Sequence, residues 1–232
     1  IGGKTGVNLP IAREDGSSVW GKNLVGSYWQ PQLVVADVDT LRTLEDRQFR
    51  CGLAECVKHS MLGNDDLRSF IQQNADAIFS RDSDVLIELV TSSATIKTEI
   101  VAKDERESGC RALLNLGHTF AHAIEPLPEL SLFHGEAVSI GLCAALACSE
   151  AMGLVDADVV DRIKELLTTL GLPTRLPMPV NAQDLNLLMK ADKKTKDGTI
   201  HLVLPTSENA TIVEDVDKSA ISLAWASVGA ST

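Results

Sequence analysis

With 232 residues, 44% hydrophobic and 23% charged, the chain has apolar material for one large domain, or for one domain with part of another. A formal net charge of -11 argues against a nucleic-acid surface or an anionic membrane as partner, and the longest apolar stretch, Ala137 to Ala147, is too short for a membrane span and helical in period. No basic segment leads into an apolar core as in a secretory leader, although the chain begins at Ile1 without a methionine, which leaves a lost leader open.

Residues 1–30 are rich in Gly, Ser and Asn and predict loops or a hairpin. The run from Gln32 to Val38 is short and almost continuously apolar, as in a buried strand, so the beginning of the chain reads as the tail of an α/β domain. From Asp46 the apolar spacing turns helical, over Arg50–Leu62, Asp65–Phe79, Asp84–Ala102, Cys110–Ile124 and Gly135–Ala151. Helices at Asp156–Leu170 and Ala182–Lys190 follow, separated by the turn-rich stretch 171–179. Thr199–Pro205 and Ala210–Glu214 predict a hairpin around Ser207–Asn209. The fold class is therefore mainly α, with a β-containing start at residues 1–45, a helical domain over 46–232 and a small β-hairpin near the end of the chain.

Cys51/Cys56 and Cys143/Cys148 stand five apart, which matches neither a metal knuckle nor a disulfide framework; small buried thiols in a reducing cytoplasm are the reading. His118 and His122 are four apart, so a helix projects both from one face, and His134 lies beyond a break at Pro126 and Pro128 that lets a second helix return it to the same point. Imidazole is a common ligand of divalent transition metals, so a zinc-type site is one reading. The other is three unrelated polar residues on helix ends and packed faces, and spacing alone does not separate them. Glu55 and Lys58 add an acid and a base three apart on an apolar helix, where each charge needs a partner. Lys97 also sits in an apolar stretch, and convergence of such cations would make a pocket for a small phosphorylated or carboxylated molecule inside an acidic chain.

These segments, together with Gly2-Gly-Lys4-Thr-Gly, Gly21-Lys22-Asn23, Arg111-Ala-Leu-Leu-Asn115 and Asp192-Lys193-Lys194, resemble the 3-dehydroquinate synthases in content and order across essentially the whole chain. The resemblance implies that residues 46–232 form the family's helical metal- and substrate-binding domain and that 1–45 are the end of its dinucleotide-binding α/β domain. It implies a cytoplasmic lyase of the shikimate pathway, a homodimer at full length, that turns 3-deoxy-arabino-heptulosonate 7-phosphate into 3-dehydroquinate and phosphate with NAD and Zn2+, or another divalent metal such as Co2+. Glu55, His118 and His134 then match the metal ligands, and His122 faces substrate instead. Lys58, Lys97, Arg111 and Asn115 match residues that act on the substrate's carboxylate, hydroxyls and phosphate, while Lys4, Lys22, Asn23, Glu107 and one of Lys193 and Lys194 complete the substrate set. If Cys110–Ile124 is one helix, Arg111, Asn115 and His118 share a face, which His122 continues by one turn.

Two departures from the family pattern stand out. The spacer before Gly21 is longer by roughly nine residues, a polar insertion of low cost. The aspartate that normally precedes Ile-Gly-Gly-Lys would fall before residue 1, and no Gly-rich strand-to-helix turn for a dinucleotide is present, so a fragment that does not itself bind NAD is the expectation. Competing readings are a phosphate loop at Gly2–Thr5, disfavoured because Pro10 ends any helix early; another sugar phosphate cyclase acting on a heptulose 7-phosphate; and a non-catalytic metal-binding helical domain.

Overall fold

The structure is a computed structural model that describes residues 6–12, 18–27, 29–106, 109–191 and 201–231, with only the backbone described at 8, 18–20, 22, 23 and 191. The chain forms two compact units, residues 1–37 and 38–232. In the first, β1 (Gly6–Ala12) and β2 (Ser18–Gly26) pair antiparallel, from Gly6 opposite Gly26 to Ala12 opposite Ser18, with an irregularity between Val7 and Leu9. The predicted hairpin is present. The strand predicted over Gln32–Val38 is not: residues 33–37 are irregular and Val38 opens a 3-10 helix, Val38–Thr43. A strand needs a neighbouring strand for its ladder, and among the described residues the two sheets are β1 with β2 and a second pair near the end of the chain, neither of which includes this run.

The second unit is helical. It contains α1 (Asp46–Ser60), α2 (Asp65–Gln73), α3 (Ala75–Phe79), α4 (Ser83–Lys103), α5 (His118–Ile124), α6 (His134–Ala151), α7 (Ala157–Thr169), α8 (Ala182–Ala191) and α9 (Lys218–Ser227). Between α8 and α9, β3 (Leu202–Pro205) and β4 (Ala210–Val213) form the second predicted hairpin, pairing Leu202 with Val213 and Pro205 with Ala210. Side-chain caps fix several helix starts: Asn64 Oδ1 accepts from Leu67 N at 2.8 Å, Asp82 Oδ1 from Val85 N at 3.1 Å, and Asp217 Oδ1 from Ser219 N at 2.8 Å.

Two predicted helices are broken. Asp65–Phe79 is interrupted at Asn74, whose side-chain Nδ2 donates to Phe70 O at 2.9 Å and closes α2 before α3 begins. Cys110–Ile124 is a 3-10 helix, Cys110–Asn115, followed by a turn and then α5. The break lies at Leu116, which is extended, and Gly117, which has φ +73°. Arg111, Asn115 and His118 therefore do not share one α-helical face. Helix α9 was not anticipated, although Ala220, Ile221, Ala224 and Trp225 repeat with helical spacing behind the Asp217 cap, and all four are buried.

Helix α6 organises the core. Fourteen of its 18 residues are buried, so it is apolar on every side and has to be wrapped, as it is by α1, α5, α7, α9 and β3. Glycine permits the two closest approaches. A Cβ on Gly135 would lie 2.2 Å from Cys51 O of α1, and one on Gly141 would lie 2.3 Å from Gly117 O at the start of α5. Trp225 of α9 stacks edge-on against Phe120 of α5 at 5.1 Å and donates from Nε1 to Asn186 Oδ1 at 3.1 Å. The five cysteines are free; Cys56, Cys143 and Cys148 are buried, Cys51 is half-buried, and Cys110 is exposed. No described helix is long and apolar enough to cross a membrane.

Candidate metal centre

The close packing of α1 and α5 on α6 brings three residues together from separate parts of the chain. Glu55 projects from α1 one turn beyond Cys51, His118 is the first residue of α5, and His134 is the first residue of α6. Glu55 Oε1 lies 3.4 Å from Nε2 of His118 and 3.4 Å from Nε2 of His134. One ligand atom from each of the three falls within 4.8 Å of the others, a spacing that a single divalent ion can span.

Both histidines are held by their other nitrogen. His118 Nδ1 is 3.1 Å from Leu116 O, and His134 Nδ1 is 3.2 Å from Glu125 Oε1. A carbonyl and a carboxylate only accept, so each Nδ1 carries a proton, and Nε2 is the nitrogen left to offer a metal its lone pair. Oxygen and nitrogen donors of this kind, oriented by neighbours, suit zinc or cobalt.

Charge agrees with this arrangement. Burial pushes the Glu55 carboxyl up, but hydrogen bonds from His118 and His134 and the Lys58 charge outweigh it, so the group sits well below the usual carboxylate range. Lys58 Nζ is buried 2.5 Å from Glu55 Oε2. In the metal-free protein, hydrogen bonds to Glu125 and Glu55 raise His134 to about 9 despite partial burial. His122 stays close, its ring 5.6 Å from that of His118 and 6.5 Å from that of His134, but it is outside the group of mutually close ligand atoms.

Other candidates are held by local contacts. Arg111 N donates to Asp104 Oδ2 at 2.9 Å, and its Nη1 donates to Glu105 O at 2.5 Å. Asn115 Nδ2 donates to Ala112 O at 3.1 Å, and Lys97 lies half-buried on α4. Lys4, Thr5, Glu107, Lys193 and Lys194 lie outside the described residues, as do the side chains of Lys22 and Asn23 in β2.

Several contributors were not singled out from sequence. Glu125 follows His118 by seven residues, so His118, His122 and Glu125 form an i, i+4, i+7 series that the histidine spacing could have flagged. Arg47 makes two 2.7 Å bonds to Glu136, a third of 2.8 Å to Ser131 O, and lies 4.1 Å above the Phe133 ring, which ties the start of α6 to α1. Glu136 Oε2 also accepts from Phe133 N at 2.8 Å. Buried His59 neighbours Lys58, with Nδ1 2.6 Å from Ser93 Oγ of α4; burial and the Lys58 charge lower it to about 3, so it is neutral.

Comparison with known proteins identifies the family. The family model described as 3-dehydroquinate synthase C-terminal matches residues 52–195, and its N-terminal counterpart matches residues 1–51. The 3-dehydroquinate synthase of Thermodesulfovibrio yellowstonii is 40% identical over 208 residues, covering 89% of this chain and 55% of that protein. That of Idiomarina loihiensis is 43% identical over 224 residues, covering 95% and 60%. The chain thus spans little more than half the length of these curated relatives.

Among solved structures, a 2-epi-5-epi-valiolone synthase from Streptomyces hygroscopicus subsp. jinggangensis 5008, with NAD+ and Zn2+ bound, superposes with a TM-score of 0.80 at 24% identity, covering 97% of this chain and 61% of that one. A 2-deoxy-scyllo-inosose synthase complexed with carbaglucose-6-phosphate, NAD+ and Co2+ gives 0.59 at 21% identity, covering 93% and 60%. These two likenesses are of fold. The family matches run along the chain through all three residues of the Glu–His–His cluster, and the chain belongs to the 3-dehydroquinate synthase family.

Proposed function

We propose that the chain is the metal- and substrate-binding part of a cytoplasmic, homodimeric 3-dehydroquinate synthase that converts 3-deoxy-arabino-heptulosonate 7-phosphate to 3-dehydroquinate and phosphate. Residues 1–45 are the end of the dinucleotide-binding domain, and 46–232 are the helical domain. The observation that carries the reading is the convergence of Glu55, His118 and His134 to within 4.8 Å, with the buried Lys58 beside them, in a chain 40% identical to enzymes of that name. A divalent cation held by these three residues, Zn2+ or Co2+, supplies Lewis-acid polarisation of substrate oxygens and lowers the cost of an alkoxide. The free cysteines fit a reducing compartment.

The chain's own groups account for binding and orientation. Lys58 and Lys97 face the substrate's hydroxyls and phosphate, and their charges offset the phosphate dianion. Arg111 offers a guanidinium fork to the carboxylate, with Asn115 next in the substrate set, to which the family resemblance adds Lys4, Lys22, Asn23, Glu107 and Lys193 or Lys194. His122 contacts substrate or its proton path without binding metal. The leaving phosphate can take the neighbouring proton itself, so the protein mainly supplies fixed geometry. NAD finds no Gly-rich strand-to-helix turn in this sequence, so the chain's part in the reaction is confined to metal and substrate.

Zinc titrated into the chelator-treated chain should bind at one equivalent, and Glu55→Ala should abolish that binding with the fold retained. Stoichiometric zinc in Glu55→Ala would count against the ligand set. A cyclase acting on a heptulose phosphate without a carboxylate shares this fold and metal chemistry. Turnover of the two substrates by the full-length enzyme distinguishes them, with Arg111 favouring the carboxylated one.

A further inference from the structure

We propose that Glu125 is a positioning residue of this site. Its carboxylate holds the Nδ1–H of His134 and thereby turns Nε2, the nitrogen whose proton a metal would displace, toward the point shared with Glu55 and His118. The inference rests on the metal reading above.

The two histidines differ in how much of their orientation comes from packing. The His118 side chain is 12% exposed, its Nδ1 faces the backbone carbonyl of Leu116, and it sits behind the tight Gly117–Gly141 contact. The His134 side chain is 46% exposed and belongs to the first residue of α6, where no preceding helical turn covers it. Packing therefore constrains its ring less than that of His118, and an imidazole can coordinate through either nitrogen. Glu125 removes that choice. Its Oε1 lies 3.2 Å from Nδ1 while Nε2 lies 3.4 Å from Glu55 Oε1, so the ring is strung between two carboxylates of which only one belongs to the cluster of ligand atoms.

The position of Glu125 makes this coupling rigid. It ends α5 two turns beyond His118 on the same helix face, so one short helix carries a ligand at one end and, at the other, the residue that orients a ligand from α6. A carboxylate behind a ligating imidazole fixes the tautomer and makes Nε2 a stronger donor, and loss of such a partner typically costs about 10- to 100-fold in metal affinity.

The test uses the whole 232-residue chain. Zinc affinity is measured by competition with a chromophoric chelator for the unsubstituted chain, Glu125→Gln, Glu125→Ala and His134→Ala, with circular dichroism to establish folding. Nitrogen-15 imidazole spectra of the zinc-loaded forms report which His134 nitrogen carries the proton. We expect Glu125→Gln, whose amide oxygen still accepts the hydrogen bond, to bind about tenfold more weakly and Glu125→Ala about 100-fold more weakly. Both should still bind more tightly than His134→Ala, and the alanine variant should lose the single Nδ1-protonated His134 signal. Affinity within twofold in both folded variants, with that signal unchanged, would overturn the proposal. Loss of binding as complete as in His134→Ala would overturn it differently, by making Glu125 a ligand. No zinc binding by the unsubstituted chain would bring down the metal reading and the role of Glu125 with it.

Discussion

The two histidines of the Glu–His–His cluster open the two helices that carry them, yet the helices are secured differently. Helix α5 meets α6 at Gly117 and Gly141, backbone against backbone, with no room for a methyl group. The entrance of α6 has a close contact too, Gly135 on Cys51, but adds charge to it: Arg47 clamps Glu136, and Glu125 engages His134. Shape alone fixes the first half of the site, whereas the second rests on shape and electrostatics together. The first should therefore fail chiefly when volume is added, and the second also when pH or salt changes.

The largest effect should come from adding volume. Gly141→Val has no flexible neighbour to displace, since the nearest atom is a backbone oxygen, and should destabilise the fold by about 3 kcal/mol or more in urea melts. Gly52→Ala on α1 is the control. A Cβ there meets nothing within 4 Å, so the change should be neutral or gain up to about 1 kcal/mol from helix propensity. Comparable losses in the two variants would remove the claim that α5 is placed by close contact.

Next in size is ligand removal. His134→Ala should lower zinc affinity by more than ~100-fold, beyond what loss of an outer partner costs, while His122→Ala should keep its metal. Metal loss in His122→Ala would restore the reading in which the i, i+4 histidine pair is the ligand pair.

The charged half should also carry a pH signature of opposite sign in the two metal states. His134 is raised from 6.5 to about 9 in the metal-free chain, so its contribution to stability is complete below pH 6.5 and is lost as pH rises through about 9. Metal must displace that proton, so zinc affinity should climb across the same interval by about tenfold per pH unit and level off above it. Chelator-treated protein that grows more stable between pH 6.5 and 9 would contradict the ion-paired entrance.

The smallest effect on both halves should come from Arg111→Lys, which lies outside them. In a full-length enzyme the variant should lose about tenfold in substrate affinity or turnover, the value of one hydrogen bond between charged groups, while metal content and the urea midpoint stay unchanged. Near-normal kinetics would dismiss Arg111 from substrate recognition.

Much of this could be read from residue order. The helical spacing around α1, α4, α6 and α7 is local information and carries through to the fold, as do both hairpins. The helix expected over Cys110–Ile124 failed because Gly117 adopts a left-handed turn to let α6 approach, a tertiary demand that periodicity does not encode. The strand expected at Gln32–Val38 failed because a strand is a property of pairs. At the site, Glu55, His118 and His134 were named through family resemblance, whereas the bare spacing pointed equally to His122. Glu125 and Arg47 escaped notice because an acid or a base on a helix end is ordinary until the partner it meets is known.

Helix α9 bears on the order of assembly. The three clustered side chains have all been synthesised by residue 134, but the helix on which all three depend is apolar on every side, and one of those sides is covered by residues 218–227. During translation the site's components therefore emerge well before the element that finishes enclosing α6. A chain halted before Lys218 would hold every residue of the Glu–His–His cluster and still expose greasy surface along α6, so it should be a substrate for chaperones and proteases rather than a smaller working domain.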